Sequence, residues 1–316
     1  MCSAAFFIIH LMLAMLVRLS SNAAVQMAGQ MKPISAARFL LIARLLPLVM
    51  ALFALFAFCI PSYLWLEPKN DGEKVALSCV LLAVCGAAIW TAALLRVVGA
   101  LRETHRYLHD CHRTGRHVTV PGDTGTALVV NNDAAVVAVA GVIRPKLVIS
   151  RRVLRGLSSE QREAAVCHER AHCSGGDNLK RFLILLAPQP LPFLPVFSSM
   201  ERAWSKFTEW AADDVATQGD PRRAVSLAAA LVRVARMGSS VHRPEYLACS
   251  LVGDDRMLSE RVERLLRPQS KPPKPIKEVV AALATISLVS LSTATVIVMW
   301  PGSLAAVHRA LEGLIQ

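Results

Sequence analysis

The chain has 316 residues, 54% of them hydrophobic, a formal net charge of +12 and a mean hydropathy of +0.43. That balance exceeds what an ordinary soluble chain of this length shows, and together with three long charge-free runs it points to a membrane protein. The excess of Lys and Arg is not accompanied by a stacking platform or a helix-turn-helix pattern, so nucleic acid is not an expected partner.

Met1 to Val17 is apolar but short, broken by His10, and has no charge ahead of it. It reads poorly as a signal peptide and stands as a further candidate span, about residues 3–17. Leu45 to Leu66, with Pro47 and Pro61 placed near its ends, and Val75 to Leu95 are each long enough to cross a hydrocarbon core of about 30 Å. The spans are predicted at about 45–66 and 75–95. Arg18, Lys32, Arg38 and Arg44 precede them, a nearly neutral tip of Glu67, Lys69, Asp71, Glu73 and Lys74 joins them, and Arg96, Arg102, Arg106, Arg113 and Arg116 follow. The bias places the hairpin tip and the end after Trp300 outside and residues 101–277 in the cytoplasm of a cell inner (plasma) membrane protein.

His105, His109 and His112 lie at helical spacing beside these arginines, a pattern read mainly as a solvated juxtamembrane helix and only secondarily as a metal site. The period then changes. Val118 to Val120, Ala127 to Val130, Ala134 to Val139 and Lys146 to Ile149 are short β-branched runs separated by turn residues, which predict a small antiparallel sheet. An edge of such a sheet can hold an extended peptide by its backbone, a role favoured here over that of a purely structural sheet.

Ser158, with Gln161 three residues on, signals a helix start and a capping box. Leu157, Ala164, Ala165, Cys167 and Ala171 would form its buried side. Within that helix, His168-Glu169-Arg170-Ala171-His172 sets two imidazoles one turn apart on one face, where both can grip a zinc ion, with Glu169 beside it as general base. The five-residue pattern also arises by chance on amphipathic helices; its flanks favour the metal. A hydrolytic zinc needs a third protein ligand and an open fourth position. Downstream, Glu209 and Asp213 share a helix face: Glu209 can reach the metal, and Asp213 can accept the free ring N–H of a liganding histidine. Alone, this pair would read as a solvated acidic face.

Between the two helices, Phe182 to Met200 carries no charge, yet Pro188, Pro190, Pro192 and Pro195 forbid a regular span; it is expected at the membrane interface or over the cleft. Asp177 is expected to organise the end of the zinc helix. His242, Tyr246 and Arg261 are candidate donors to the oxyanion. Gln269 to Pro275 is a stiff linker into a last apolar run, Val279 to Val307. Of the eight cysteines, Cys59, Cys79 and Cys85 lie in apolar spans, while Cys111, Cys167, Cys173 and Cys249 fall on the reducing side, so disulfides are not expected. Cys167 and Cys173 read as buried small hydrophobes rather than rival ligands.

Gly141-Val-Ile-Arg-Pro-Lys-Leu-Val-Ile-Ser150, Gly156-Leu-Ser-Ser-Glu-Gln and the zinc motif followed by Asp177-Asn178 resemble the integral-membrane gluzincin peptidases of the BlaR/MecR type. Glu209-Trp-Ala-Ala-Asp213-Asp214 is also similar to the related HtpX and CAAX prenyl protease group. Ser259-Glu-Arg261-Val-Glu-Arg-Leu-Leu266 resembles the Arg-containing helix that follows in both. The resemblance spans roughly residues 118–266 and implies zinc held by His168, His172 and Glu209, with Glu169 as catalytic carboxylate. The chain departs from the antirepressor pattern in the proline-rich stretch and in having Ala212 before Asp213. No Ser-x-x-Lys occurs, so no covalent β-lactam sensor is expected within this polypeptide.

The resulting expectation is membrane α-helical spans plus a helix-rich, α+β zincin-like catalytic domain. Residues 1–100 form the N-terminal membrane region, 101–277 a cytoplasmic metallopeptidase domain, and 278–316 a last span and tail. The expected function is a zinc-dependent endopeptidase cutting a protein substrate, a cytoplasmic repressor or a membrane protein, at the face of the lipid bilayer. The alternatives are an HtpX-like quality-control protease and a catalytically silent membrane scaffold.

Overall fold

A computed structural model describes residues 2–62, 76–119, 126–131, 135–191, 194–238, 247–251 and 255–267. Its first layer is three long helices: α1 (Cys2–Gly29), α2 (Pro33–Ala54, continued through a π-helical turn at Leu55–Cys59) and α3 (Leu77–Thr114). Pro33 starts α2 where its missing N–H is not needed. Helices Cys2–Gly29, Pro33–Ser62 and Leu77–Thr114 are each long and apolar enough to cross a membrane. Large apolar side chains point outward along all three, among them Leu16, Leu19, Ile42, Phe56, Leu81 and Leu95, as a lipid-facing surface requires.

These helices outrun the apolar runs that signal them. The run up to Val17 becomes a helix to Gly29, and the segment before Leu45 is helical from Pro33. α3, at 38 residues, measures about 57 Å at 1.5 Å per residue, well beyond a hydrocarbon core of about 30 Å. Its distal turns carry His105, His109 and His112, all exposed, and lead directly into the sheet. α1 and α3 approach closely at Gly86, where a Cβ would lie 2.6 Å from the Ser3 carbonyl oxygen. Ser3 Oγ there donates to the Ala83 carbonyl at 3.0 Å. The run Val279–Val307 lies outside the described residues.

The sheet has the order β1-β2-β4-β3-β5: β1 (Arg116–Thr119), β2 (Thr126–Val130), β3 (Val137–Ala140), β4 (Lys146–Ser150) and β5 (Ala248–Ser250). Here the structure corrects the expected all-antiparallel arrangement, because β2 and β4 pair parallel, Leu128 opposite Val148. Leu147, Val148 and Ile149 are at most 1% exposed. Such a continuous apolar run is stable only with both faces covered, so it takes the centre, and β3 passes to its far side. β5, distant in sequence, adds to β3 and was not foreseen. The edges are β1 and β5.

Six further helices complete the described residues: α4 (Arg151–Gly156), α5 (Ser159–Gly175), α6 (Asp177–Leu186), α7 (Ser198–Thr217), α8 (Pro221–Arg236) and α9 (Asp255–Leu266). A core of β3, β4, α4, α5 and α8 residues, including Val139, Ile149, Ala165, Leu227 and Leu231, fixes α5 against the sheet. A second core joins α1–α2 to α7, through Leu40, Met31, Met200, Trp204 and Phe207. α7 is therefore held between the membrane helices on one side and the α5 layer on the other. Cys2, Cys59, Cys79, Cys85, Cys111, Cys167 and Cys173 are all free.

Candidate metal centre

α5 begins as its sequence requires. Gln161 N–H donates to Ser158 Oγ at 3.3 Å, and Ser158 N–H donates to Gln161 Oε1 at 3.1 Å, closing the capping box. Ala164, Ala165 and Ala171 are buried, and Cys167 packs partly buried on the same core. This rotation sends His168, Glu169 and His172 inward, at 0%, 0% and 2% exposure.

α7 brings the third group. Glu209 and Asp213 face α5 and are buried. Glu209 Oε2 lies 3.5 Å from His168 Nε2, and Glu209 Oε1 lies 3.7 Å from His172 Nε2. His168, His172 and Glu209 form a buried group whose ligand atoms all fall within 4.8 Å of one another, close enough for one metal ion. Neither Cys167 nor Cys173 belongs to it, and His105, His109 and His112 form no such group.

Each imidazole is oriented by a carboxylate. Asp213 Oδ1 sits 2.9 Å from His168 Nδ1. Asp177 Oδ2 sits 2.8 Å from His172 Nδ1, a role the sequence reading did not give it. The chain leaves α5 at Gly176, whose φ of +66° is a left-handed turn, and this reversal carries Asp177 back against the helix it follows. The Gly175-Gly176-Asp177 string was the available signal. Asn178 anchors the junction to the sheet, donating to the carbonyls of Val139 and Gly141 at 3.0 and 2.9 Å.

The two Nε2 atoms lie 3.1 Å apart, and His168 Nε2 is also 3.3 Å from Arg261 Nη2. Protons on both Nδ1 atoms, facing their carboxylates, would leave both Nε2 lone pairs available to a cation between them. The Glu169 carboxylate is fully buried with no hydrogen-bond partner among the described residues, an expensive arrangement for a group that serves only structure. Burial pushes its carboxyl up to about 7, and a divalent ion nearby would draw it down again. The donor set thus fits a metal.

Arg261, from α9, takes a different place from the one anticipated. Its Nε and Nη2 donate to Asp213 at 3.0 and 2.7 Å, its Nη1 to the Leu251 carbonyl at 2.8 Å, and Nη1 is 3.1 Å from Glu209 Oε2. At 2% exposure it braces the two acidic side chains, and its Nη2 also lies 3.3 Å from His168 Nε2. His242 and Tyr246, the other proposed donors, lie outside the described residues. Burial alone would raise the carboxyls of Asp213 and Glu209; Arg261 and the histidines outweigh it and hold both below their ordinary range, Glu209 well below. Arg181, on α6, brings a second cation 3.9 Å from Glu209.

The comparison with known families agrees with this architecture. The family model described as BlaR1 peptidase M56 matches residues 74–265, more than half of the chain and the whole of the site. No curated protein matches the chain. On that match, and with three helices fit to cross a membrane, this chain belongs to the BlaR1 peptidase M56 family of membrane-associated metallopeptidases.

Proposed function

We propose that the chain is a zinc-dependent endopeptidase of the plasma membrane that cleaves a protein substrate at the cytoplasmic face, in a regulatory step. The observation that carries this reading is the convergence of His168, His172 and Glu209 beside a buried, unbonded Glu169. Zinc in such a donor set supplies a Lewis acid and a bound water of lowered pKa. Glu169 accepts the proton of the attacking water and delivers it to the amine that leaves as the peptide C–N bond breaks. Asp213 and Asp177 keep the two imidazoles in the tautomer that leaves Nε2 free for the metal. Arg261 keeps Asp213 and Glu209 ionised.

Residues 1–100 are assigned to the membrane region, 101–277 to the catalytic part and 278–316 to a last span. The cytoplasmic side rests on the arginines after the second charge-free run, from Arg96 to Arg116, against a nearly neutral hairpin tip. Among the described residues the sheet ends in β1 and β5, either of which could take a substrate strand, and β5 runs directly into Leu251, which contacts Arg261.

Replacing Glu169 by Gln in the full chain, in its own cell, tests the reading. One or a few proteins should accumulate uncut, and their cut forms should vanish. Accumulation of many damaged membrane proteins would instead indicate quality control, and an unchanged proteome would indicate a silent scaffold.

A further inference from the structure

Arg44 lies on α2, within the helix Pro33–Ser62 that can cross a membrane, yet it is only 2% exposed. A charge in such a helix is expensive and is retained where a partner and a function hold it. Its contacts all fall on one stretch of chain. Arg44 Nε donates to Glu201 Oε1 at 2.7 Å, Nη2 donates to the carbonyls of Ala187 and Ile184 at 3.4 and 3.5 Å, and the guanidinium lies 4.0 Å over the Phe197 ring. That stretch, from the end of α6 to the start of α7, is the connection between the helix bearing His168 and His172 and the helix bearing Glu209.

α1 grips the same segment. His10 Nε2 meets the Pro188 carbonyl at 3.2 Å, and Arg18 Nη1 donates to the Val196 carbonyl at 3.3 Å. Among the described residues, Arg44–Glu201 is the ion pair that joins the membrane helices to the catalytic ones. Glu201 precedes Glu209 by eight residues on the same rigid helix, about 12 Å along its axis. Met200, Trp204 and Phe207 seat that helix on α2, while Thr208, Glu209, Ala212 and Asp213 are among its other buried positions.

We propose that Arg44 is a positioning residue for the metal centre, acting through Glu201 to set where α7 holds Glu209. The inference rests on the reading of His168, His172 and Glu209 as a zinc site. A purely structural Arg44 would stabilise the fold without affecting how tightly the metal is held; a positioning Arg44 affects the grip itself.

The test uses the full chain in lipid nanodiscs, with zinc affinity measured by competition with a chelating indicator and the melting temperature of the zinc-free protein recorded in parallel. Arg44→Met and Glu201→Gln should each loosen zinc about 10-fold, the lower end of what outer partners of metal ligands contribute. The double variant should be no looser than the weaker single one, since both act through one contact. Wild-type affinity in Arg44→Met, with only the melting temperature lowered, overturns the proposal, as do losses that multiply in the double variant. Should Arg44→Met fail to fold, Glu201→Gln still decides, because the Glu201 side chain is 31% exposed and tolerates an isosteric change; unaltered zinc affinity there overturns the proposal. A wild-type chain that holds no zinc overturns the site reading and this inference together, whereas a zinc-loaded wild type with an indifferent Glu201→Gln overturns this inference alone.

Discussion

Asp213 and Arg261 are joined at two points inside the protein, Oδ2 to Nε at 3.0 Å and Oδ1 to Nη2 at 2.7 Å, with both residues at most 2% exposed. The same Asp213 Oδ1 faces His168 Nδ1, so one carboxylate links a metal-side imidazole to a buried guanidinium. Removing the cation leaves Asp213 a buried charge without its guanidinium and Glu209 with only Arg181, 3.9 Å away. Arg261→Leu should therefore destabilise the fold by about 3–5 kcal/mol, in the range for breaking one side of a buried pair. Arg261→Lys should recover only part of this, because an ammonium lacks the fork that meets both Asp213 oxygens. Thermal unfolding of the purified variants reads the difference; a loss below about 1 kcal/mol would make Arg261 peripheral.

The two outer carboxylates should behave alike. Asp213→Ala frees His168, and Asp177→Ala frees His172, to adopt the wrong tautomer. Each should weaken zinc binding or turnover by about 10- to 100-fold while still filling at saturating metal. Chelator competition decides it. Unchanged affinity in Asp177→Ala would return that residue to the role of a helix-end organiser.

Ligand and base are separable. Glu209→Ala, like His168→Ala or His172→Ala, should lose zinc, whereas Glu169→Gln should keep it and lose cleavage. Metal analysis of the four proteins is sufficient. Full occupancy in Glu209→Ala would remove Glu209 from the ligand set.

Sidedness determines which proteins the enzyme meets. Single cysteines in a cysteine-free background, probed with a membrane-impermeant thiol reagent, should label at Asn70→Cys and Leu314→Cys in intact cells. Ser159→Cys should be protected until the membrane is opened. The reverse pattern would place the active site outside and remove any cytoplasmic repressor from consideration.

The sequence by itself determined the local pieces of this protein: the capped helix from Ser158, the inward face of His168, Glu169 and His172, the Glu209–Asp213 turn, and the apolar runs behind α1, α2 and α3. These are legible because helical and β periods and caps act over a few residues. Only the tertiary structure decided what joins them. It set the parallel β2–β4 pair, the addition of β5, the return of Asp177 through the left-handed Gly176, the withdrawal of Arg261 behind Asp213, and the reach of Arg44 to Glu201. Each of these pairs residues far apart in the chain, or turns on a single backbone angle. Nothing in the spacing of residues says which buried charge will find which partner; that follows from which apolar faces must be covered, and the covering is a property of the whole fold.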